Sequence, residues 1–343
     1  MPRPNSAIST PADSRPQTLR IRRLTTELRS QGGLLSIVDN VSLSIERGCA
    51  LGLVGESGCG KSLLARSALG LLPRRLFKVS GSVRLGQSEL IGMPRRQLRK
   101  VLGSRAAMIF QEPAAAMDPV YPAGDAAYEV LRRHGGLGRV DSRRRVAELF
   151  AQVGIDDPLK RAAQIPSRLS GGMRQRALIA STLAADVELL VADEPTTALD
   201  VTIQAQILAL LNRLRRDRGT SLLLITHDLG VVAATCQRVA VMYAGRIVEH
   251  GAVGEIFSRP AHPYTRLLLK ALHATQQRDI QRLEGIPGNV PDPSDYPTGC
   301  RFHPRCPERF AVCDSQVPQQ LPIPGRNGWA ACHLYDSSLR GKS

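Results

Sequence analysis

Eight consecutive residues, Gly55, Glu56, Ser57, Gly58, Cys59, Gly60, Lys61 and Ser62, follow the order G-x-x-x-x-G-K-S. Glycines let a backbone turn tightly enough for its N–H groups to face the phosphates of a nucleotide. Lys61 adds a cation to the β- and γ-phosphate oxygens, and the Ser62 hydroxyl can ligate Mg2+. A second phosphate cradle is written in LSGGMRQR, residues 169–176. There Ser170 offers a hydroxyl, and Gly171 and Gly172 let N–H groups approach an anion with no Cβ in the way. The residues after it suit a helix whose N-terminus points at that anion. Two adjacent acids, Asp193 and Glu194, close an apolar run. Asp193 suits the shell of a Mg2+ ion through water. Glu194, one residue further, can accept a proton from an attacking water.

These groups need elements to position them. Residues 50–54, ALGLV, read as a buried strand feeding the glycine loop, and 61–72 as a helix stopped by Pro73. Residues 189–192 and 222–225 are continuous apolar runs, the pattern of strands buried on both faces of a parallel sheet. Between them Asp200 can cap a helix to about Arg216, ended near Gly219. Residues 106–110 form another short strand. The alternation within 19–46 predicts half-exposed antiparallel strands. From 112 to 186 strand patterns are missing, and 125–134 and 142–153 look helical, so this stretch reads as a helical insert. A hairpin is expected at 239–249, with 239–243 and 247–249 flanking Ala244, Gly245 and Arg246. A further helix is expected at 264–273, and the Pro/Gly-rich stretch 285–297 reads as an irregular linker.

Composition narrows the partners. With 46 Lys and Arg against 30 Asp and Glu, the net charge is +16, a field that favours anionic partners or an acidic membrane face. Aromatic residues make up only 4%, which leaves few platforms for stacking single strands, and no long Lys/Arg run is present, so nucleic acid is not expected. No stretch of 18 apolar residues predicts a transmembrane helix. The first 18 residues read as a disordered tail rather than a secretory signal. Four of the seven cysteines, Cys300, Cys306, Cys313 and Cys332, crowd the end of the chain. A reducing compartment is the natural home of a nucleotide-binding chain, so disulfides are not the first reading. Four thiolates at this spacing can hold a 4Fe–4S cluster or a structural Zn2+, or form a metal-free wrap.

Taken together, the glycine loop, LSGG and the Asp193-Glu194 pair followed by PTTALD resemble the motifs of ABC-type ATPases. The resemblance spans about 19–251. It implies an α/β P-loop NTPase fold, with a RecA-like core, an antiparallel β subdomain and a helical subdomain at about 114–186. Gln111 then matches the loop glutamine whose amide reaches the metal or the water. His227 matches the switch histidine that contacts the γ-phosphate, and Asp200 closes the loop that follows the catalytic acid. The cofactors implied are ATP and Mg2+. In this family each ATP lies between the glycine loop of one subunit and the LSGG of another. One set of motifs therefore implies a second ABC ATPase subunit, a paralogue or a copy of this chain. The family also stacks adenine on an aromatic ahead of the strand at Val41. This chain has none before Phe77, so residues 28–35 must supply an aliphatic or Arg contact.

Residues 257–273 and 286–313 look like the C-terminal extension of oligopeptide/dipeptide importer ATPases, and 252–343 is expected to form it. The stretch 109–120 also resembles their glutamine loop, with Asp118 where Asn is more usual. In this subfamily the cysteine arrangement is similar to iron–sulfur ligation. The resemblance implies a peripheral subunit on the cytoplasmic face of a bacterial membrane. It would energise two permease subunits and, through them, serve an extracytoplasmic solute-binding protein. The competing class is a soluble ATPase of DNA repair or translation. Such chains usually carry two cassettes or a large DNA-binding insert, and neither is present here.

Overall fold

The alternating residues near the start of the chain form β1 (Gln17–Ser30) and β2 (Gly33–Glu46), which pair antiparallel. The computed structural model describes residues 16–111, 116–196, 199–276 and 286–339. β1 thus begins inside the expected tail, whose residues 1–15 lie outside those described. The next run becomes β3 (Ala50–Val54), and its loop leads into α1 (Lys61–Ala68). α1 is shorter than expected. Gly70, at φ +65°, turns the chain away before Pro73 is reached. β4 (Phe77–Leu85), not anticipated from the sequence, pairs with β1, and β5 (Ser88–Glu89) completes a four-stranded sheet in the order β2-β1-β4-β5.

α2 (Arg95–Val101) and β6 (Ala106–Ile109) lead to the insert, whose described residues hold helices and no strand. Its helices are α3 (Asp125–Arg133), α4 (Arg139–Gln152), α5 (Pro158–Ala162) and α6 (Gly171–Leu183). The chain then returns to the sheet as β7 (Leu189–Asp193). α7 (Val201–Arg218) and β8 (Ser221–Ile225) follow. Asp200 caps α7 as expected, its Oδ1 accepting the Ile203 N–H at 2.9 Å, and Gly219 ends it in the left-handed region. α8 (Leu229–Thr235) precedes the hairpin of β9 (Arg238–Tyr243) and β10 (Arg246–Ala252). Ala244 and Gly245, at φ +43° and +82°, make its two-residue turn. The chain closes with α9 (Val253–Ser258), α10 (Pro263–Gln276), the short α11 (Val312–Ser315), β11 (Gln320–Pro322) and β12 (Trp329–Ala331).

The main sheet runs β11-β12-β10-β9-β3-β8-β7-β6. From β9 to β6 its neighbours are parallel, and the remaining three strands add antiparallel. Alternate side chains of the parallel strands enter two cores. Ala50, Val54, Leu190, Ala192, Leu222 and Leu224 join Phe150, Ile179 and Val232 on the helical side. Leu51, Leu53, Leu189, Val191, Leu223 and Ile225 pack with Leu24, Leu64 and Val83 beneath the antiparallel sheet. Each large apolar side chain so buried contributes roughly 1.5–3 kcal/mol. With both faces covered, polar groups can leave the sheet only at strand ends.

Gly52 marks how closely α8 lies on the sheet. A Cβ there would come 2.7 Å from Val232 Cγ1 and 3.4 Å from Cys236 Sγ. Gly52→Ala should cost about 1–3 kcal/mol by overpacking. It would be read as a thermal midpoint several degrees lower, and an unchanged midpoint would contradict this packing.

Candidate functional site

The glycine loop lies between β3 and α1, at the end of the sheet where β7 and β8 also finish. Gly55, at φ +152°, has no room for a side chain, since a Cβ would sit 2.1 Å from the Met242 carbonyl oxygen. Gly58 and Gly60 also take positive φ, and Ser57 and Gly58 are exposed. Gly60 precedes α1 without capping it by any side chain, which leaves the first N–H groups of the helix free for an anion. Cys59 is buried, and that burial pushes its thiol above the usual range. Lys61 folds back over the loop, its Nζ donating to the carbonyls of Gly55 at 2.8 Å and Glu56 at 2.9 Å.

Ser62 Oγ donates to Asp193 Oδ1 at 2.8 Å. Asp193 is fully buried at the end of β7, and its Oδ2 has no hydrogen-bond partner. Burial raises its carboxyl pKa, against the Ser62 hydrogen bond and the cations Arg66 and Lys61. A buried, half-satisfied carboxylate beside a hydroxyl and a phosphate loop is the donor set Mg2+ takes, so these residues fit that ion.

Glu194 stands at φ +45°, a conformation rare for a residue with a side chain, and its N–H donates to the Ile225 carbonyl at 2.9 Å. This places its carboxylate between two groups from other strand ends. Gln111 Nε2 donates to Glu194 Oε2 at 3.2 Å, and His227 Nδ1 lies 3.3 Å from Oε1. Gln111, Glu194 and His227 are thus brought together, next to Asp193 and Ser62, across 117 residues of sequence.

The LSGG segment is not part of this cluster. Ser170 caps α6, its Oγ accepting the Met173 N–H at 3.3 Å, and both Ser170 and Gly171 are exposed. Among the described residues no hydrogen bond joins 170–172 to the glycine loop. Gln175, buried on the same helix, donates instead to the Pro195 carbonyl at 2.6 Å, linking α6 to the segment after Glu194. Asp200 faces solvent and caps α7; among the described residues no hydrogen bond joins it to the glycine loop. Of the region expected to meet adenine, Leu28 lies opposite Leu35 on one side and Phe77 on the other. Phe77 follows the glycine loop in sequence, so only the sheet could bring it there. A separate concavity of about 390 Å3 on the antiparallel sheet is lined by Arg20, Arg22, Arg23, Gly81, Ser82 and Arg84 and shares no residue with the loop.

Sequence reasoning missed a third contributor. Tyr264 of α10 and Arg305 both reach Glu56, 208 and 249 residues away. The cysteines around Arg305 are all free thiols. Burial raises the thiols of Cys300 to about 11 and Cys332 to about 12. Among the described residues no group of three or more His, Cys, Asp or Glu is placed to hold a metal ion. A 4Fe–4S cluster or zinc at Cys300, Cys306, Cys313 and Cys332 thus gains no support, although Cys300, Cys306 and Cys313 lie near enough to Cys332 to raise its thiol further.

Comparison with known proteins agrees with this geometry. The family described as ABC transporter matches residues 38–197. The family described as the C-terminal region of oligopeptide/dipeptide transporters matches 248–313. A "Probable peptide ABC transporter ATP-binding protein" of Sinorhizobium fredii is 46% identical over 92% of this chain and 94% of its own length. The chain belongs to the ABC transporter ATP-binding proteins. It is an ATPase of that family, with ATP as substrate and Mg2+ as its ion. A Brucella abortus relative named as a peptide import ATP-binding protein is 44% identical over 90% of this chain and 92% of its own length. Among solved structures, the dimeric post-hydrolysis ATP-binding cassette MJ0796 bound to ADP and Pi aligns with a TM-score of 0.63. The match is 24% identical and covers 68% of this chain and 98% of that one. At that identity the likeness speaks for the ABC ATPase fold alone.

The unpaired Asp193 oxygen gives a direct test of the Mg2+ site. Adding Mg2+ with ATP should raise the thermal midpoint of the wild type by several degrees, because a ligand bound only by the folded state stabilises it. Asp193→Asn should lose the part of that rise that depends on Mg2+. A full Mg2+-dependent rise in the variant would remove Asp193 from the ion's shell.

Proposed function

We propose that this chain is the ATP-hydrolysing subunit of an ABC importer for peptides or a related small solute. Two observations support the solute class: the names of the curated relatives, and the oligopeptide/dipeptide C-terminal region matched at 248–313. The hydrolytic role rests on one observation, the Glu194 carboxylate held between Gln111 and His227.

In this reading the residues divide the work. The N–H groups of Ser57, Gly58, Cys59 and Gly60, with those opening α1, cradle the phosphates. Lys61 swings its ammonium from the carbonyls of Gly55 and Glu56 onto phosphate oxygens, so a cation already stored in the loop is delivered without a new desolvation step. Ser62 and Asp193, with Gln111, would hold Mg2+, which would supply positive charge against the phosphates. Glu194 takes the proton of the attacking water. Its left-handed backbone aims the carboxylate out of the sheet end, the Gln111 amide fixes one oxygen, and His227 steadies the other and meets the γ-phosphate.

Ser170 and Gly171, exposed, and Gly172, half-buried, make no hydrogen bond to their own glycine loop among the described residues and serve the ATP of a second ABC ATPase subunit, a copy or a paralogue. Asp200 lies along the same seam. Residues 19–251 form the ATPase domain, with the helical subdomain at about 114–186, and 252–343 form the extension. Two permease subunits would receive the motion of dimer closure, with an extracytoplasmic solute-binding protein supplying the cargo. Among the described residues no helix is long and apolar enough to cross a membrane. That is compatible with a peripheral subunit at the cytoplasmic face. A cluster or zinc at the four cysteines forms no part of this mechanism.

Glu194→Gln should keep ATP binding, stabilise a nucleotide-bound dimer on a sizing column and slow turnover by about 10²–10⁴-fold. Wild-type turnover would take the base role from Glu194. Lys61→Ala should weaken ATP binding itself by at least about tenfold, or roughly 1.4 kcal/mol, measured by titration with a fluorescent ATP analogue. An unchanged affinity would count against the phosphate-loop assignment.

A further inference from the structure

The glycine loop carries an acid. Glu56 follows Gly55 directly, in a loop whose purpose is to receive a triphosphate. Left free, its carboxylate would repel that ligand, since like charges within several ångströms cost free energy even near solvent. The structure spends two residues of the C-terminal extension on this one position. Arg305 grips the Glu56 carboxylate with both arms, Nη1 to Oε2 at 2.9 Å and Nη2 to Oε1 at 3.0 Å. The Arg305 side chain is only 6% exposed, so this is a sheltered fork rather than a surface pair. The guanidinium is fixed in turn by the carbonyls of Pro287 and Ile286, at 2.6 and 3.1 Å, and lies 3.3 Å from Tyr243 Oη.

The second contact acts on the backbone. Glu56 N–H donates to Tyr264 Oη at 2.8 Å. That N–H and the Gly55 carbonyl belong to one planar peptide unit. The carbonyl end of the unit accepts Lys61 Nζ, so Tyr264 sets the orientation of the peptide that stores the loop's cation. Tyr264 is itself locked by Tyr243 and Phe302, with ring centroids 4.7 and 5.3 Å away. A further arm supports the other side of the loop. Arg301 Nη1 donates to the Ala244 carbonyl and Nη2 to Asp39 Oδ2 at 2.8 Å. The next residue, Gly245, donates its N–H to the Cys59 carbonyl at 2.9 Å.

We propose that Arg305 and Tyr264 are positioning residues for ATP binding: the extension clamps Glu56, cancels its charge and holds the Gly55–Glu56 peptide in the attitude that presents Lys61. The extension is then a working part of the nucleotide site and not only a solute- or partner-class appendage. By linkage, whatever displaces the segment bearing Arg301 and Arg305 weakens ATP binding, and ATP binding in turn holds that segment in place. The inference rests on the ATPase reading above, and the experiment separates the two.

The test is equilibrium titration of the full chain with a fluorescent ATP analogue, alongside thermal midpoints and steady-state kinetics. The set comprises wild type, Arg305→Ala, Arg305→Ala combined with Glu56→Gln, Tyr264→Phe and Lys61→Ala. Arg305→Ala should raise the Kd about tenfold. Adding Glu56→Gln should recover most of that loss, because the repelling charge is gone. Tyr264→Phe keeps the ring packing and loses only the acceptor, so it should raise Kd and KM by roughly three- to fivefold with kcat little changed. It also keeps the proposal testable should Arg305→Ala fail to fold. The proposal is overturned if both Arg305→Ala and Tyr264→Phe bind within twofold of wild type, whatever their midpoints. It is equally overturned if Glu56→Gln brings no recovery to a folded Arg305→Ala protein, which would make the ion pair merely structural. Absence of analogue binding in the wild type, or full binding by Lys61→Ala, would instead remove the ATPase reading and the clamp with it.

Discussion

The parallel strands β3, β7 and β8 are apolar on both faces, and this constraint governs everything polar in the molecule. Their alternate side chains are committed to two cores, one beneath the antiparallel sheet and one against the helices. A charged group placed mid-strand would have to be buried unpaired. Chemistry is therefore confined to the edge where the strands end and loops begin, the usual ligand crevice of open α/β sheets. Asp193 is the limiting case, the last residue of β7, fully buried and with one oxygen unsatisfied.

Strand order then decides which loops meet. β8 lies between β3 and β7. The loop after β3 brings Ser62 to Asp193, and the turn after β8 brings His227 to Glu194. The end of β6, beside β7, brings Gln111 to the same carboxylate. Four segments converge because three neighbouring strand pairs are parallel and in register, so all their ends lie at one edge. The strained backbone of Glu194 is held by its hydrogen bond to Ile225, again a contact between adjacent strand ends. The site is thus a consequence of sheet topology, and its acid is presented by a conformation that an isolated loop would not maintain.

The C-terminal extension obeys the same logic from the other edge. β12 and β11 add to β10 and so continue the sheet of the ATPase domain rather than forming a body apart. Tyr243 and Tyr264 each pack edge to face with Phe302 and tilted against each other beside the glycine loop, and Arg305 lies over this cluster. The sheltered guanidinium groups of Arg301 and Arg305 would be costly without Asp39 and Glu56 to receive them. The pairing makes the loop, the β9–β10 turn and the extension one polar network on an aromatic base.

Much of this was written in the sequence. A glycine loop, a paired acid and LSGG are short-range patterns, because each needs only its own residues to take the required backbone shape. Apolar runs of four or five residues became strands, and Asp200 and Gly219 marked the ends of α7 as local capping predicts. The extent of the antiparallel sheet was less legible. β4 contains Gly81 and exposed polar residues that blur the alternation, and α1 ends at Ala68, ahead of the turn at Gly70, rather than at Pro73. Contacts between residues hundreds of positions apart were not legible at all. Nothing in C-R-F-H-P-R-C says that its arginines reach Asp39 and Glu56, nor that Phe77 comes to lie beside Leu28. The spacing of the cysteines suggested a metal, but ligation depends on how side chains converge in space, and no ligand set is found among the described residues. Local chemistry was fixed by residue type and order. Which of those groups share an edge, which turn to solvent for a partner, and which brace the loop was decided by the packing of the sheet.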